Sequence, residues 1–453
     1  MDFHKHVILP IFLAIVAYLA YWMLFPAKID IPQNGYFGRG PVRNDNTLIQ
    51  PFKINVDQKI LDDLKLRLEN SRVSHEALED SDDFYYGFNA KHLMKLRDHW
   101  LTKYDWRKYE NILNEFPQFT TEIEGLKIHF LHVKPPKDVY NDVRPLLVSH
   151  GWPGNVFEFY KFIPILTNPK KYGIQSEFAF EVIAPSIPGY GWSDQPKKTG
   201  FSQMACARIF RILMLRVGFK KFYLQGGDWG SIVNILIGKG WPENVLGLHL
   251  NMISMLPGSS IIAIGYEFVG TLFPQILSSP NLSKDFNIIS KYLTLAVETG
   301  YFHIQATKPD TVGTSLNDSP LGLAAYIIEK FSTWTNPADR RLQDGGLNRK
   351  FTNDELLTIV MIYWVNGNIV SSTRFYREMF LDRPIIGPLL RQYTSIPCGH
   401  ASGLHEIYDR TPIEASRQLY NITHHKEIDM GHFGAFEEPK QLAESVFEFV
   451  ENL

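Results

Sequence analysis

One acidic residue stands where a strand-to-helix corner would expose a nucleophile. The stretch 220–231 passes from a β-rich apolar run into small residues, with Asp228 between Gly227 and Trp229. With Gly226 before and Gly230 just beyond, this is the small-x-nucleophile-x-small pattern of a nucleophile elbow, which needs small residues near a nucleophile held in a strained turn. A carboxylate at that tip attacks carbon without help from a base, because it is already ionised at neutral pH. The alternative is that Asp228 only caps the following helix, which is a common use of Asp.

A histidine and a second acid further along the chain form a candidate catalytic set with Asp228. His432 lies in a glycine-flanked loop before the final predicted helix, and Glu406 follows a predicted strand at residues 393–397. The order nucleophile, acid, histidine is the chain order of the α/β-hydrolase triad. A histidine in this position deprotonates water if a carboxylate fixes its tautomer. Asp409 competes with Glu406 for that role, and a solvated Glu406 or an exposed His432 are the alternatives.

A His-Gly-Trp-Pro segment that begins at His150 follows a short apolar run, residues 145–149. The segment is therefore predicted to form a loop at the end of another strand. Backbone N–H groups at Trp152 and at Trp229 would then stabilise negative charge that develops during a reaction. An ordinary turn is the alternative, but the position directly after an apolar strand favours the functional interpretation.

The elements that must position these residues are short apolar strands alternating with helices. Two strands around a Glu-Gly turn are predicted within residues 120–133. Three further strands are predicted at residues 145–149, 180–184 and 246–251, and one long helix at residues 202–217. Such alternation predicts a parallel, doubly wound α/β sheet. Ligands bind at the carboxyl ends of the strands of such a sheet, where His150, Tyr190 and Asp228 are expected.

The alternation of strands and helices stops between about residues 255 and 390 and resumes near residue 394. The intervening stretch is helix-rich and aromatic, which predicts a lid inserted into the sheet domain. The domains we expect are an N-terminal extension, a first part of the core, a helical cap and a second part of the core, at residues 28–115, 116–254, 255–390 and 391–453.

Residues 7–27 contain no charged side chain, and the run is about long enough to cross a bilayer. Tyr18, Tyr21 and Trp22 lie toward its end, where interfacial aromatic residues are expected. A cleaved signal peptide is the alternative, but the run is long and no clear small-x-small cleavage site follows it. We therefore expect a transmembrane anchor within residues 1–27. Basic residues are more numerous after the run, which favours a cytosolic catalytic domain.

The composition excludes several other classes of protein. Hydrophobic residues make up 45% and charged residues 21% of the 453 residues, as in ordinary globular proteins. A net charge of −2 argues against a general nucleic-acid binder. Cys206 and Cys398 are the only cysteines, so neither a disulfide framework nor a thiolate zinc site is expected, and a reducing compartment is favoured.

Five motifs together resemble the microsomal epoxide hydrolases, a group that includes the juvenile-hormone epoxide hydrolases. They lie at residues 150–154, 226–231, 300–305, 307–313 and 431–433. The similarity extends from the apolar N-terminal run to the C-terminus. It implies an α/β-hydrolase fold with a helical cap, a single-pass location in the endoplasmic reticulum membrane, and conversion of epoxides to vicinal diols.

The resemblance also implies a role for each candidate residue. Asp228 corresponds to the nucleophile, His432 to the base that activates water, and Glu406 to the acid that orients the histidine. Tyr301 and Tyr376 correspond to two cap tyrosines that polarise and protonate the epoxide oxygen. The implied partners are a small apolar epoxide, water and membrane lipid, and no metal, organic cofactor or nucleic acid is implied.

Three rival functions are disfavoured by the same residues. A serine esterase needs a Gly-x-Ser-x-Gly elbow, which the chain lacks. A haloalkane dehalogenase also uses an elbow Asp, but it would need halide-binding N–H donors in place of two phenols. A non-catalytic membrane binding protein needs no joint set of Asp, Glu, His and two tyrosines. The pattern leaves open whether the substrate is a xenobiotic, a lipid or a hormone.

Overall fold

The computed structural model describes residues 29–72, 76, 78–253, 260–276, 286–408 and 412–453. The predicted transmembrane anchor and Asp409 lie outside the described residues. Consequently, the structure bears on the sheet, the cap and the candidate site, and the anchor stays a prediction.

Nine strands of the described chain form one sheet. They are β1 (Gln50–Phe52), β2 (Gln118–Ile123), β3 (Leu126–Val133), β4 (Asp142–Ser149), β5 (Phe178–Pro185), β6 (Phe222–Gly226), β7 (Val245–Leu250), β8 (Thr394–Gly403) and β9 (Tyr420–Ile428). Their order across the sheet is β1-β2-β3-β5-β4-β6-β7-β8-β9. Strands β4 to β9 run parallel, whereas β1, β2 and β3 pair antiparallel with their neighbours. The parallel α/β sheet predicted from the alternation is therefore present.

The α-helices of the described chain fall into four groups along the sequence. The N-terminal segment holds α1 (Gln58–Glu69), α2 (Ala90–Thr102) and α3 (Trp106–Asn114), and the first part of the sheet domain holds α4 (Phe162–Thr167), α5 (Gln203–Val217) and α6 (Asp228–Gly240). Between β7 and β8 lie α7 (Ile261–Leu272), α8 (Ile288–Glu298), α9 (Gly300–Thr307), α10 (Pro309–Asp318), α11 (Pro320–Thr333), α12 (Asn353–Asn366), α13 (Ile369–Leu381) and α14 (Arg383–Arg391). The C-terminal part holds α15 (Ile413–Ser416), α16 (Gly434–Glu437) and α17 (Pro439–Glu451).

Between β7 and β8 the described chain forms helices and turns and no strand. No single helix in the described ranges is long and apolar enough to cross a bilayer. Helices α12 and α13 reach that length and composition only as a pair, and the pair is bent by 90°.

A buried ion pair within the sheet domain also holds the N-terminal segment through one of its partners. Arg208 on α5 donates to both carboxylate oxygens of Glu124, at 2.5 and 2.7 Å, and also to the carbonyl oxygen of Pro32 at 3.1 Å. Glu124 and Gly125 form the two-residue turn between β2 and β3, and both have positive φ, 53° and 78°. Such turns match the right-handed twist of a hairpin. The Glu-Gly turn lies where the sequence predicted it.

Strand β8 is longer than predicted. It continues from Pro397 to Gly403, although the sequence predicted an end at residue 397. Two register shifts against β9 interrupt the pairing near Pro397 and Gly399, so the alternation of apolar side chains is broken there. A side chain at Gly399 would meet the ring of Phe449 at 2.7 Å, which explains a small residue inside a buried strand. Glu406 consequently lies just beyond the true end of β8.

Candidate active site

The corner between β6 and α6 holds Asp228 in a strained conformation. Its φ is 46°, in the left-handed region that non-glycine residues rarely adopt. A Cβ on Gly227 would approach the side chain of Asn251 to 2.4 Å, and one on Gly230 would approach the carbonyl oxygen of Ser149 to 2.0 Å. The small residues around Asp228 are therefore required by close packing of the corner against β4 and β7.

The carboxylate of Asp228 does not cap α6. Gly227 occupies the N-cap position, and no side-chain capping bond is present there. The Oδ1 atom of Asp228 instead accepts a hydrogen bond of 2.7 Å from the backbone N–H of Trp152. A Cβ on Gly151 would lie 2.2 Å from the same oxygen, so this loop approaches the carboxylate as closely as a backbone can. The capping alternative is wrong.

Two backbone N–H groups lie where they can donate hydrogen bonds to a negatively charged oxygen at Asp228. That of Trp152 already bonds to Oδ1. Trp229 is the second residue of α6, and the first N–H groups of a helix have no partner within it. The start of the helix also favours negative charge electrostatically.

His432 connects Asp228 to the buried acid Glu406. Its Nδ1 donates to Oε2 of Glu406 at 2.8 Å, and Oε1 of Glu406 accepts from the backbone N–H of Tyr408 at 2.9 Å. Nε2 of His432 lies 3.3 Å from Oδ2 of Asp228, without the alignment of a hydrogen bond. The two oxygens of Asp228 therefore differ: Oδ1 is held by the loop, and Oδ2 faces the histidine.

Two carboxylates control the charge of His432. Burial lowers the pKa of His432, but the charges of Glu406 and Asp228, with their hydrogen-bonding contacts, raise it well above its usual value. The two carboxylates therefore favour the imidazolium form of the ring in the free enzyme. If Asp228 lost its charge, one of these two carboxylates would be removed and the pKa of His432 would fall.

The loop that carries His432 is fixed from both sides. The backbone N–H of His432 donates to the carbonyl oxygen of Trp334, just after α11, at 2.9 Å. A Cβ on Gly431 would lie 2.4 Å from that carbonyl oxygen, so only glycine fits under the cap. On the core side, the carboxyl group of Glu437 accepts a hydrogen bond of 2.7 Å from the N–H of Gly431. Burial raises the pKa of Glu437 to about 7. The cap and the core together hold the histidine.

The two cap tyrosines face each other over the Trp152 loop. Tyr301 on α9 and Tyr376 on α13 have ring centroids 5.9 Å apart. The Trp152 ring stacks on Tyr301, with centroids 5.3 Å apart, and meets Tyr376 edge-on at 5.7 Å. The centroids of the Trp229 and Tyr376 rings are 4.7 Å apart. The cap thus brings both phenols against the residues that flank the nucleophile.

Both phenols are protonated donors at neutral pH. Burial raises the pKa of Tyr301 and of Tyr376 above the usual value, and the charge of Asp228 adds to this effect. The Tyr301 hydroxyl accepts a bond of 3.1 Å from the hydroxyl of Tyr408. The Tyr376 hydroxyl is buried near that of Tyr301 but makes no aligned hydrogen bond within the described residues. Because buried hydroxyls are normally bonded, its proton is available to a ligand.

Two residues near the site were missed by the sequence reasoning. Tyr408 bonds to Tyr301 and to Glu406, and its only signal in the sequence is its position two residues after that acid. Glu158 lies in a short 3-10 turn, Val156–Phe159, and lines a cavity together with Asp228 and His432. Its signal is an acid inside an otherwise apolar, aromatic stretch.

The arrangement combines a nucleophilic carboxylate, an oriented histidine, N–H donors for an oxyanion and two phenolic acids. These are the parts needed to open a carbon–oxygen bond by ester formation and then to hydrolyse the ester. In the part of the chain that the structure describes, no group of three or more His, Cys, Asp or Glu side chains is arranged to hold a metal ion.

Two family models match the chain. Residues 49–159 match the model described as the epoxide hydrolase N terminus, and residues 144–277 match that of the alpha/beta hydrolase fold. The fold class predicted from the motifs is thereby confirmed at the level of the α/β-hydrolase fold.

Individual relatives cover nearly the whole chain. Epoxide hydrolase 1 of Sus scrofa is 44% identical over 446 residues, which cover 96% of this chain and 97% of that protein. Juvenile hormone epoxide hydrolase 1 of Ctenocephalides felis is 43% identical, over 93% of this chain and 90% of that protein. The crystal structure of the juvenile hormone epoxide hydrolase from the silkworm Bombyx mori matches with a TM-score of 0.86 at 39% identity, over 93% of this chain and 98% of that one.

The family predicted from the five motifs is confirmed by these matches, and the esterase and dehalogenase alternatives are set aside. Epoxide and water are accordingly the two substrates. The chain belongs to the microsomal-type epoxide hydrolases, the group that includes the juvenile hormone epoxide hydrolases.

Proposed function

We propose that this enzyme converts apolar epoxides to vicinal diols through an ester of Asp228. The observation that carries the proposal is that the two oxygens of this carboxylate have different surroundings. Oδ1 is held at 2.7 Å by the N–H of Trp152, whereas Oδ2 accepts no hydrogen bond from a backbone N–H of the described residues and lies 3.3 Å from Nε2 of His432. One oxygen is placed to become the ester carbonyl, and the other is placed to attack.

In the first step the epoxide oxygen accepts hydrogen bonds from Tyr301 and Tyr376. Oδ2 of Asp228 attacks a ring carbon, the carbon–oxygen bond of the ring breaks, and one phenol gives its proton to the departing oxygen. The product is a hydroxyalkyl ester of Asp228 and a phenolate. Because the pKa of both phenols is raised, the phenolate recovers a proton before the next turnover.

In the second step His432 changes from an acid to a base. Esterification removes the charge of Asp228, so the pKa of His432 falls and the ring loses a proton, which restores the phenol. The neutral ring then takes a proton from water, and the hydroxide attacks the ester carbonyl carbon. N–H groups of Trp152 and Trp229 stabilise the oxyanion. Its collapse breaks the bond to the former Oδ2, which leaves with the diol and takes the proton of the attacking hydroxide, so the ring, still protonated, faces a restored carboxylate.

Aromatic rings around the phenols favour an apolar substrate. The Tyr376 ring packs against those of Trp229 and Phe302, and its centroid lies 5.1 Å from that of Phe302. The centroids of the Tyr301 and Trp334 rings are 5.0 Å apart. Such a surface gains free energy by excluding water from an apolar ligand, at about 25 cal/mol per Å² buried. The proposed substrates are therefore xenobiotic, lipid or hormone epoxides, in line with the juvenile hormone epoxide hydrolases among the relatives.

We also propose that the enzyme is resident in the endoplasmic reticulum membrane, with one N-terminal anchor and a cytosolic catalytic domain. The uncharged run of residues 7–27 supports this location. A second support is the outer face of the cap helices α7 and α8, where exposed apolar side chains follow one another, at Ile262, Phe268, Leu272, Phe273, Ile289, Leu293 and Val297.

The charged side chains of α7 and α8 are withdrawn from that exposed face. Lys291 and Glu267 form a buried ion pair of 2.5 Å between the two helices, and Glu298 pairs with Arg340. Helices that hide their charges and expose their apolar residues are typical of a surface that meets lipid. The cap surface therefore supports contact with a bilayer.

A trapping experiment tests the chemistry. A His432→Gln variant lacks the base for the second step, so incubation with a styrene-type epoxide should leave the substrate attached to the peptide that contains Asp228. Mass spectrometry of the digested protein detects this adduct, and an Asp228→Ala variant is the control that should carry none. Diol formation by Asp228→Ala at the wild-type rate would overturn the proposed function.

A further inference from the structure

A small cavity lies against the nucleophile, apart from the phenols of the cap. Its volume is about 20 Å³, and Asp228, His432 and Glu158 are among its lining residues. A cavity holds one water molecule once about 10–15 Å³ are accessible to it, provided that polar partners are present. The cavity therefore has room for one water molecule between the ester position and the base.

Glu158 is a buried carboxyl that no described cation neutralises. Its side chain folds back onto the Trp152 loop, since a Cβ on Gly154 would lie 1.1 Å from its Oε1 atom. Burial raises the pKa of Glu158 to about 8, the charge of Asp228 acts in the same direction, and His432 opposes both. At neutral pH the group is mainly a neutral acid, with one oxygen free to accept a hydrogen bond.

Other buried carboxyls of the chain have partners that explain their burial. Glu124 is paired with Arg208, and Glu355 bonds to Lys161, Tyr160 and its own helix cap. For Glu158 the charge of His432 and a backbone contact with Asn155 favour the charged form, and no ion pair or side-chain hydrogen bond joins it to another described residue. A buried polar group without such partners lowers stability unless another ligand satisfies it.

We propose that Glu158 holds the water molecule that hydrolyses the Asp228 ester, an inference that rests on the proposed function. Water has two protons: one passes to Nε2 of His432, and the other is held by the carbonyl oxygen of Glu158. The water oxygen then directs a lone pair at the ester carbonyl carbon. Glu158 makes and breaks no covalent bond and keeps its own proton. Its neutral form adds no negative charge beside the developing oxyanion.

The test separates formation of the ester from its decay. In single turnovers with a styrene-type epoxide, both phases are followed by rapid quenching and mass spectrometry of the intact protein. Glu158→Leu removes the acceptor, and Glu158→Asp withdraws it by one methylene group. Both variants should form the ester within about 3-fold of the wild-type rate, and its decay should slow about 10–100-fold, the range expected when a reactant is misplaced by about 1 Å.

Glu158→Gln is the conservative variant, because it keeps a neutral carbonyl acceptor. Its ester should decay within about 3-fold of the wild-type rate, a rescue that a merely structural role would not produce. Glu355→Gln, which also alters a buried carboxyl but lies outside the cavity, controls for loss of packing, and thermal melting confirms folding of each variant.

The outcomes distinguish this inference from the proposed function. If wild-type enzyme forms no ester, the ester chemistry itself fails. If wild-type enzyme forms the ester but the Glu158→Leu and Glu158→Asp esters decay at the wild-type rate, Glu158 does not hold the water. Equal slowing of formation and decay also overturns the inference, and Glu158→Asp decides the matter if Glu158→Leu does not fold.

Discussion

At the scale of single residues, the proposed mechanism depends on the charge of Asp228. In that mechanism His432 faces two carboxylates and holds a proton while Asp228 is ionised, and it faces one carboxylate and becomes a base once Asp228 is esterified. The linkage also affects stability. Because the pKa of His432 is raised by folding, its contribution is fully present below the unfolded pKa of about 6.5 and is lost as pH rises through the folded value.

In the proposed mechanism, the charge of Glu406 sets the pH at which His432 acts. A Glu406→Gln variant removes a buried negative charge from Nδ1, so the pKa of His432 falls. Decay of the ester needs the neutral ring, so the acid limb of its pH profile should shift to lower pH, while the maximum rate falls about 100-fold or more. Single-turnover decay measured across pH checks this, and an acid limb at unchanged or higher pH would contradict it.

In the proposed mechanism, the phenol of Tyr376 acts as an acid only in the first step. Tyr376→Phe should slow ester formation about 100-fold, because one acid is lost, and should leave ester decay unchanged. Tyr408→Phe is the matched control: it removes only the 3.1 Å bond to Tyr301 and should slow formation by less than about 10-fold. Slower ester decay in Tyr376→Phe would show that the phenol serves a different step.

The residues of the site differ in how far the sequence could predict them. Asp228 and His432 stand in short glycine-flanked motifs, since each turn tolerates only small neighbours. Tyr301 and Tyr376 required a family resemblance, because nothing local distinguishes them among 21 tyrosines. Glu158 was missed because burial of an acid depends on how a loop folds back on itself, and the spacing of residues in the sequence does not reveal this.

At the scale of elements, the regular parts of the fold were predictable, and the irregular ones were not. The hairpin of β2 and β3 follows from its Glu-Gly turn, and the parallel strands follow from short apolar runs. Strand β1 has three residues, too few for a pattern, and α3 was not predicted. The second half of β8 is hidden by its register shifts and by Gly399, which packs against Phe449 on α17.

The ion pair of Arg208 and Glu124 fastens α5 to the hairpin, and a separate bond from Arg208 to the carbonyl oxygen of Pro32 reaches the N-terminal segment. An Arg208→Met variant leaves the charge of Glu124 buried and unpaired, which should lower the free energy of unfolding by about 3–5 kcal/mol. Urea unfolding measures the loss. Arg211→Met, on the same helix but only partly buried, should cost much less, and equal losses in the two variants would contradict the argument.

At the scale of the whole molecule, the site exists only where cap and core meet. The core supplies Asp228, Glu406 and His432, the cap supplies Tyr301 and Tyr376, and the carbonyl oxygen of Trp334 links the histidine loop to the cap. Substitutions in the cap should therefore affect ring opening, and substitutions around the water cavity should affect ester hydrolysis.

The exposed face of α7 and α8 should lie within a bilayer. Leu293→Cys in the full chain, labelled with an environment-sensitive dye and reconstituted in vesicles, should be quenched by brominated lipids. Leu66→Cys on α1 is a matched control, since Leu66 and Leu293 are 58% and 62% exposed. The native cysteines are buried. Equal quenching at both positions, or none at position 293, would contradict lipid contact by the cap.

The most direct test of the ester mechanism follows the oxygen atom of water. A single turnover with excess enzyme in water labelled with heavy oxygen should place the label in the carboxylate of Asp228 and leave the diol unlabelled, because water attacks the ester carbonyl carbon. Mass spectrometry of the diol and of the peptide that contains Asp228 reads both positions. Label in the diol after that first turnover, with an unlabelled Asp228, would mean that water attacks the epoxide directly.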